Sequence, residues 1–133
     1  MSSEGLPPVV SENARILILG TLPGKQSLAT QKYYAHPENA FWEVIEKLIG
    51  VKRGLDYQER IKRLKDSGIA LWDDFKECAR KGSTDTGINK GSEETNDFET
   101  FLNKYIGIQR VYFNGKKSEK AFRRSVWLKL RKV

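Results

Sequence analysis

The 133-residue chain holds one cysteine, Cys78, one histidine, His36, and four prolines. A single cysteine excludes an internal disulfide and any four-cysteine cluster, and a single histidine excludes a histidine-rich metal site. No metal and no cofactor is expected. No apolar run reaches the length needed to span a membrane. The N-terminus lacks the apolar stretch of a secretory signal, so the expected compartment is the reducing cytoplasm, without membrane attachment. No GxxxxGK[ST] stretch occurs, which argues against nucleotide hydrolysis. The adjacent acids Asp73-Asp74 and Glu93-Glu94 lack the setting of a paired-carboxylate site.

Acids are also scarce at one end. From Lys104 onward ten of the 24 basic residues accompany a single acid, Glu119, so the last thirty residues carry net charge +9 and the first 103 carry −2. Such asymmetry suits a polyanion bound through its phosphates, although a solvated helix face would look the same. Lys116, Lys117, Lys120, Arg123 and Arg124 fall on an expected basic helix from Lys116 to about Lys129.

The remaining pattern is that of one small α/β domain. Residues 1–13 read as a loose lead-in and 14–133 as the domain. Arg15 to Leu19 (RILIL), Ile69 to Trp72 and Arg110 to Phe113 (RVYF) read as buried strands. Helices are expected from Asn39 to Leu48, from Tyr57 to Asp66 behind an Asp56 cap, and from Asn96 to Tyr105 with Asn96 and Glu99 in capping-box spacing. Residues 73–95 read as irregular, with helical turns at Asp74 to Arg80. Strands alternating with helices imply a three-layer sandwich around a mainly parallel sheet. Ligands of such sheets bind beyond the carboxyl ends of the strands. Gly20-Thr21-Leu22-Pro23-Gly24 and Asn114-Gly115 lie there.

Between that turn and the first helix stands Tyr33-Tyr34-Ala35-His36-Pro37-Glu38-Asn39-Ala40-Phe41-Trp42. Aromatic faces can sandwich a planar base and an amide can read its edge or orient a water, which suggests a pocket for a nucleobase taken out of its stack. Each residue also has a structural reading: Phe41 as core, Asn39 as a helix cap, His36 as a turn residue. Backbone N–H groups of Gly20 to Gly24, Pro23 excepted, would suit negative charge developing on a departing base. Asn114 reads equally as a phosphate or pocket contact and as an Asn-Gly turn residue, and Asp85 as a solvated loop acid.

The segment ILGTLPG…SLATQKYYAHPENAFWEVI resembles the first motif region of the uracil-DNA glycosylase superfamily, closest to its hypoxanthine (deoxyinosine) DNA glycosylase branch. Gly68 to Asp73 (GIALWD), Gly82-Ser83-Thr84-Asp85 with Asn96-Asp97-Phe98, and Val111 to Lys117 (VYFNGKK) follow in the family's order. The resemblance implies a uracil-DNA glycosylase-like fold and a monofunctional enzyme of base-excision repair, and the expected state is a monomer. It implies removal of hypoxanthine, and secondarily uracil, from DNA containing deaminated bases, with association to the nucleoid through DNA. It assigns catalysis to Asn39, the base pocket to Gly20, Thr21, Leu22, Pro23, Gly24, Tyr33, Tyr34 and His36, and DNA contact to Asn114, Lys116, Lys117 and Lys120. Tyr34 matches the aromatic that stacks on the base. Mismatch-specific uracil glycosylases carry a water-positioning Asn two residues after the first glycine of the turn. Leu22 stands there, as in the hypoxanthine branch, which relies on the position of Asn39. Relatives also carry a further strand and a loop after the basic helix. That loop is not found in Ser125 to Val133, so the expectation is a C-terminally shortened domain. The alternative is a weakly active or inactive glycosylase-like module that binds DNA through its basic segment.

Overall fold

The computed structural model describes residues 2–37, 39–79 and 94–125. In chain order the elements are β1 (Ser2–Glu4), β2 (Ile16–Gly20), α1 (Lys25–Thr30), α2 (Phe41–Ile49), α3 (Tyr57–Asp66), β3 (Ile69–Asp73), β4 (Phe75–Ala79), β5 (Glu94–Thr95), α4 (Phe98–Lys104), β6 (Arg110–Phe113) and α5 (Lys116–Ser125). The motif around Gly82 to Asp85, and Trp127 and Leu128, lie outside the described residues.

The central sheet has strand order β3-β2-β6, and both of its pairings are parallel. Side chains alternate across a strand, and the two faces bury different helices. Leu17, Leu19, Ala70 and Trp72 face α4 and α5 through Phe98, Phe101 and Phe122. Leu71 and Ile69, with Ile18, face α2 and α3 through Phe41, Trp42, Ile45, Ile61 and Leu64. Helix, sheet, helix is therefore the layer order, as the alternation of strand and helix patterns implies. β6 pairs on one side only among the described residues. An apolar groove of about 690 Å³ runs between it and α2, with Ile16, Ile18, Val44, Leu48 and Tyr112 in its lining.

Local chemistry sets the helix ends. Asp56 caps α3 by accepting the Gln58 N–H at 3.2 Å. α2 stops at Gly50, which takes φ +76° and donates its N–H to the Glu46 carbonyl at 2.9 Å. That left-handed conformation suits a residue without a side chain. α4 starts one residue later than the capping-box spacing implies. Asp97, not Asn96, is its cap, accepting the Thr100 N–H at 3.1 Å. Asn96 is instead spent on the Asp73 carbonyl, to which its side-chain amide donates at 2.7 Å.

Two sequence expectations fail here. The helical turns expected at Asp74 to Arg80 are replaced by β4, which pairs antiparallel with β1 and β5. Pairing with distant segments outweighs weak local helix preference. Residues 1–13, expected as a loose lead-in, supply β1, bury Leu6 and bridge Val9 to Leu71 in both directions at 2.9 Å. α1, absent from the sequence reading, is a six-residue helix that buries Ser27.

Candidate active site

β2, β3 and β6 end side by side, because their registers align Leu19 with Trp72 and with Phe113. Just past these ends lies a cavity of about 630 Å³. All of Gly20, Thr21, Leu22, Pro23, Gly24, Tyr33, Tyr34, His36, Asn39 and Asn114 line it. The structure thus brings together every expected pocket residue and adds Asn114 from the expected DNA contacts. Lys116, Lys117 and Lys120 stand apart from this lining, exposed on α5.

The floor depends on one glycine. A Cβ on Gly20 would lie 2.7 Å from Asp73 Oδ1 and 3.3 Å from the Tyr34 hydroxyl. Only the absence of a side chain lets the turn approach both groups. The turn also leaves the N–H groups of Thr21, Leu22 and Gly24 outside the backbone hydrogen bonds of the described residues.

The aromatic loop is held on both sides of Tyr34. Tyr34 has φ +54°, a left-handed conformation that costs a bulky residue on the order of 1–3 kcal/mol. Its neighbours impose that conformation. The Tyr33 N–H donates to the Tyr57 hydroxyl at 2.9 Å, and the Tyr33 carbonyl accepts from Trp42 Nε1 at 3.1 Å. The Tyr33 hydroxyl donates to the Pro7 carbonyl at 2.7 Å, and the Ala35 N–H donates to the buried Ser27 hydroxyl at 3.0 Å. Tyr34 then stacks on Phe41, with ring centroids 3.9 Å apart and planes 19° from parallel. Burial pushes the Tyr33 phenol pKa well above the ordinary tyrosine value, and the negative charge of Asp73 pushes it the same way. Tyr33 therefore remains a proton donor.

Asn39 serves two ends with two atoms. Its Oδ1 accepts the Phe41 N–H at 2.8 Å, which satisfies an orphan donor at the start of α2. The helix begins at Phe41 with Ala40 in the N-cap position, so Asn39 lies one residue before the cap expected of it. Because only an oxygen can accept that N–H, the side-chain amide is oriented with its NH₂ as a spare donor, on a residue that lines the cavity.

Asp73 is the residue the sequence reading set aside. It is 4% exposed, ends β3 and lines the cavity. The rule that singled out Gly20 and Asn114, the carboxyl end of a parallel strand, applies equally to it. Its neighbour Asp74 serves the frame. Asp74 is wholly buried and accepts from the Ser118 hydroxyl at 2.8 Å, which ties α5 to the strand ends. Lys25, Gln26 and Ser27 also line the cavity unanticipated, brought there by α1.

On α5, Ser118, Ala121 and Phe122 face inward and Lys116, Lys117, Lys120 and Arg123 outward. Arg123 is paired with Glu119 at 3.1 Å, which offsets part of its charge. The side chain of Arg124, and Asp85, lie outside the described residues. Among the described residues, no helix is long and apolar enough to cross a membrane, and no group of three or more His, Cys, Asp or Glu is placed to hold a metal ion.

Comparison with known proteins gives the geometry a lineage. Residues 7–132 match the family model of the uracil DNA glycosylase superfamily. The chain is 44% identical over 119 residues to the hypoxanthine DNA glycosylase of Methanosarcina barkeri, covering 89% of this chain and 74% of that protein. Its identity to the hypoxanthine DNA glycosylase of Methanosarcina acetivorans is 40% over 119 residues, with the same coverage of 89% and 74%. A solution NMR structure of a candidate uracil DNA glycosylase from Methanosarcina acetivorans superposes with a TM-score of 0.79 at 38% identity, covering 93% of this chain and 78% of that one. The chain belongs to the uracil DNA glycosylase superfamily.

Proposed function

We propose that this protein is a DNA glycosylase that hydrolyses the N-glycosidic bond of deaminated bases, hypoxanthine first and uracil second. The observation that carries the reading is the oriented amide of Asn39 on a cavity with room for a base, whose floor is Gly20, Asp73 and Tyr34. The flipped base enters the cavity, with the Tyr34 ring, backed by Phe41, as its stacking surface. The C1′–N bond breaks and its electron pair leaves with the base. Water adds its oxygen to C1′ and gives up a proton to solvent, and the departing base anion takes up a proton in return. The Asn39 NH₂ and the turn N–H groups stabilise the negative charge that the base acquires.

The same residues supply a basis for base choice. Hypoxanthine and uracil both present a carbonyl beside a ring N–H, a pattern shared with guanine and thymine, and their parents adenine and cytosine present the reverse pattern. The Asn39 donor complements the carbonyl, and the Asp73 carboxylate complements the N–H. A site built to satisfy both rejects a base that leaves either group unpaired. In cells the substrate would be chromosomal DNA in the cytoplasm, with one chain per lesion.

The test is excision from labelled duplex and single-stranded DNA containing hypoxanthine, uracil or only undamaged bases, read by alkaline cleavage at abasic sites. The expected order is hypoxanthine, then uracil, with undamaged DNA intact. Absence of cleavage at every base would replace this reading with that of an inactive DNA-binding relative.

A further inference from the structure

A second hollow, of about 260 Å³, shares Tyr33, Tyr34 and His36 with the base cavity. Three cations line it: Lys32, Arg53 and Arg60. They come from three separate places in the chain and do not belong to the C-terminal basic segment. The ion pairs of the described residues are Arg63 with Glu59 and Arg123 with Glu119, and none of the three takes part in one.

Their positions are fixed by contacts that leave their charge uncancelled. The Arg60 guanidinium lies 4.5 Å from the Trp42 ring centroid and 5.5 Å from that of Tyr57. Its Nε donates to the Leu55 carbonyl at 3.1 Å. Arg53 donates from Nη2 to the Pro37 carbonyl at 2.6 Å. The Lys32 ammonium lies 5.7 Å from the Tyr57 centroid. A guanidinium has five N–H donors, so each arginine retains others for a ligand. Of the described carboxylates nearby, neither forms an ion pair with these side chains: Glu46 accepts the Arg53 backbone N–H at 2.7 Å, and Asp56 caps α3. Burial holds the Arg60 pKa below its ordinary value. Tyr57 and Asp56 oppose that change, while the charge of Arg53 adds to it. The two guanidinium groups therefore repel each other across the hollow.

Aromatic stacking that immobilises like charges, none of them in an ion pair with a described acid, makes a preorganised anion site. We propose that Lys32, Arg53 and Arg60 bind a backbone phosphodiester of the DNA strand whose base occupies the adjoining cavity. The inference rests on the glycosylase reading for the identity of that strand. The two hollows share Tyr33, Tyr34 and His36 in their linings, so a nucleotide in one would bring a neighbouring phosphate toward the other. The phosphate would position the strand, and the cavity would read the base.

The experiment compares wild type with a Lys32→Gln, Arg53→Gln double variant, whose altered side chains are exposed. Circular dichroism confirms folding. DNA carrying one deoxyinosine is made with a neutral methylphosphonate at each nearby position in turn. Binding is measured against salt, and excision in single turnover. At one or two positions flanking the deoxyinosine, methylphosphonate should weaken wild-type binding about 5- to 10-fold and leave the double variant unaffected. The slope of log K against log salt should fall by about one unit, since the one lost phosphate contact removes about 0.9. Arg60→Gln, which keeps the stem, should show the same loss of methylphosphonate sensitivity. Unchanged slopes and unchanged methylphosphonate penalties in an enzyme that still excises hypoxanthine would overturn the phosphate site alone. A reduced slope in a protein that excises nothing would overturn the glycosylase reading alone. Failure of the wild type to bind DNA at low salt would overturn both.

Discussion

The split of Asn39 into an accepting oxygen and a donating nitrogen can be tested by changing one atom. Asn39→Asp keeps an oxygen to accept the Phe41 N–H, now at 2.8 Å. A carboxylate at a helix start also gains from the helix dipole, by about 0.3–1 kcal/mol. Its stability should therefore equal or slightly exceed that of wild type. Excision should collapse, because the donor to the departing base is gone. Loss of one such preorganised donor costs about 2.7–4 kcal/mol, or roughly 10²–10³ in rate. The added negative charge opposes the base anion and deepens the loss. Asn39→Ala removes both roles. It should lose a similar factor in rate and in addition about 1 kcal/mol of stability, a fall of a few degrees in Tm. The assays are single-turnover excision of hypoxanthine and thermal unfolding on the same preparations. An Asn39→Asp protein that excises within a few-fold of wild type would refute the donor role. Equal stability of Asn39→Ala and wild type would refute the role at the start of α2.

Gly20→Ala places a methyl group 2.7 Å from Asp73 Oδ1, inside contact distance. Overpacking of this kind costs about 1–3 kcal/mol, so calorimetry should show a lower Tm, and hypoxanthine excision should fall with the displaced carboxylate. Ser118→Ala withdraws the hydroxyl that Asp74 accepts at 2.8 Å; denaturant unfolding should show about 1–3 kcal/mol of destabilisation, with the excision rate of the folded fraction little changed. The Tyr33 pKa is raised on folding, so the unfolded chain gives up this proton first. Its contribution is complete below the ordinary tyrosine range, near pH 10, and is lost as pH rises above it. Tyr33→Phe should flatten the alkaline decline of stability while lowering stability at neutral pH through loss of the 2.7 Å bond to Pro7. Neutralising Lys116 and Lys117 should weaken damaged and undamaged DNA alike in a binding titration, since phosphate contacts carry no base information.

The layers of the fold were legible because their signals are local. RILIL, IALW and RVYF are short apolar runs between turn residues, and α3 carries Asp56 at its start. The second sheet was not legible, because β4 is polar and its partner β1 lies at the far end of the chain, with Ser2 opposite Ala79. α1 has no acid in its first turn, no base in its last and no side-chain cap, so nothing in its six residues announces a helix. The pocket residues from 20 to 39 could be read as a group, since turn and aromatic loop are consecutive in sequence. Asp73 was missed because an adjacent acid pair was judged as a pair. The strand that carries Asp73-Asp74 sends one acid to the cavity and the other into the frame. Lys32, Arg53 and Arg60 share no stretch of sequence, and only folding gathers them.

The parallel sheet also dictates when the site comes into being. β2 supplies Gly20, and its pairing with β6 is completed by the Asn114 N–H reaching the Leu19 carbonyl at 2.7 Å. Parallel neighbours cannot be joined by a hairpin, so most of the chain must be synthesised before this last seam can close. During translation the growing chain therefore holds the loop and its aromatic stack without the wall that Asn114 provides. Closure across such sequence separation is slow compared with local helix formation. The cavity is thus complete only after residues as far along as Asn114 have been made and paired.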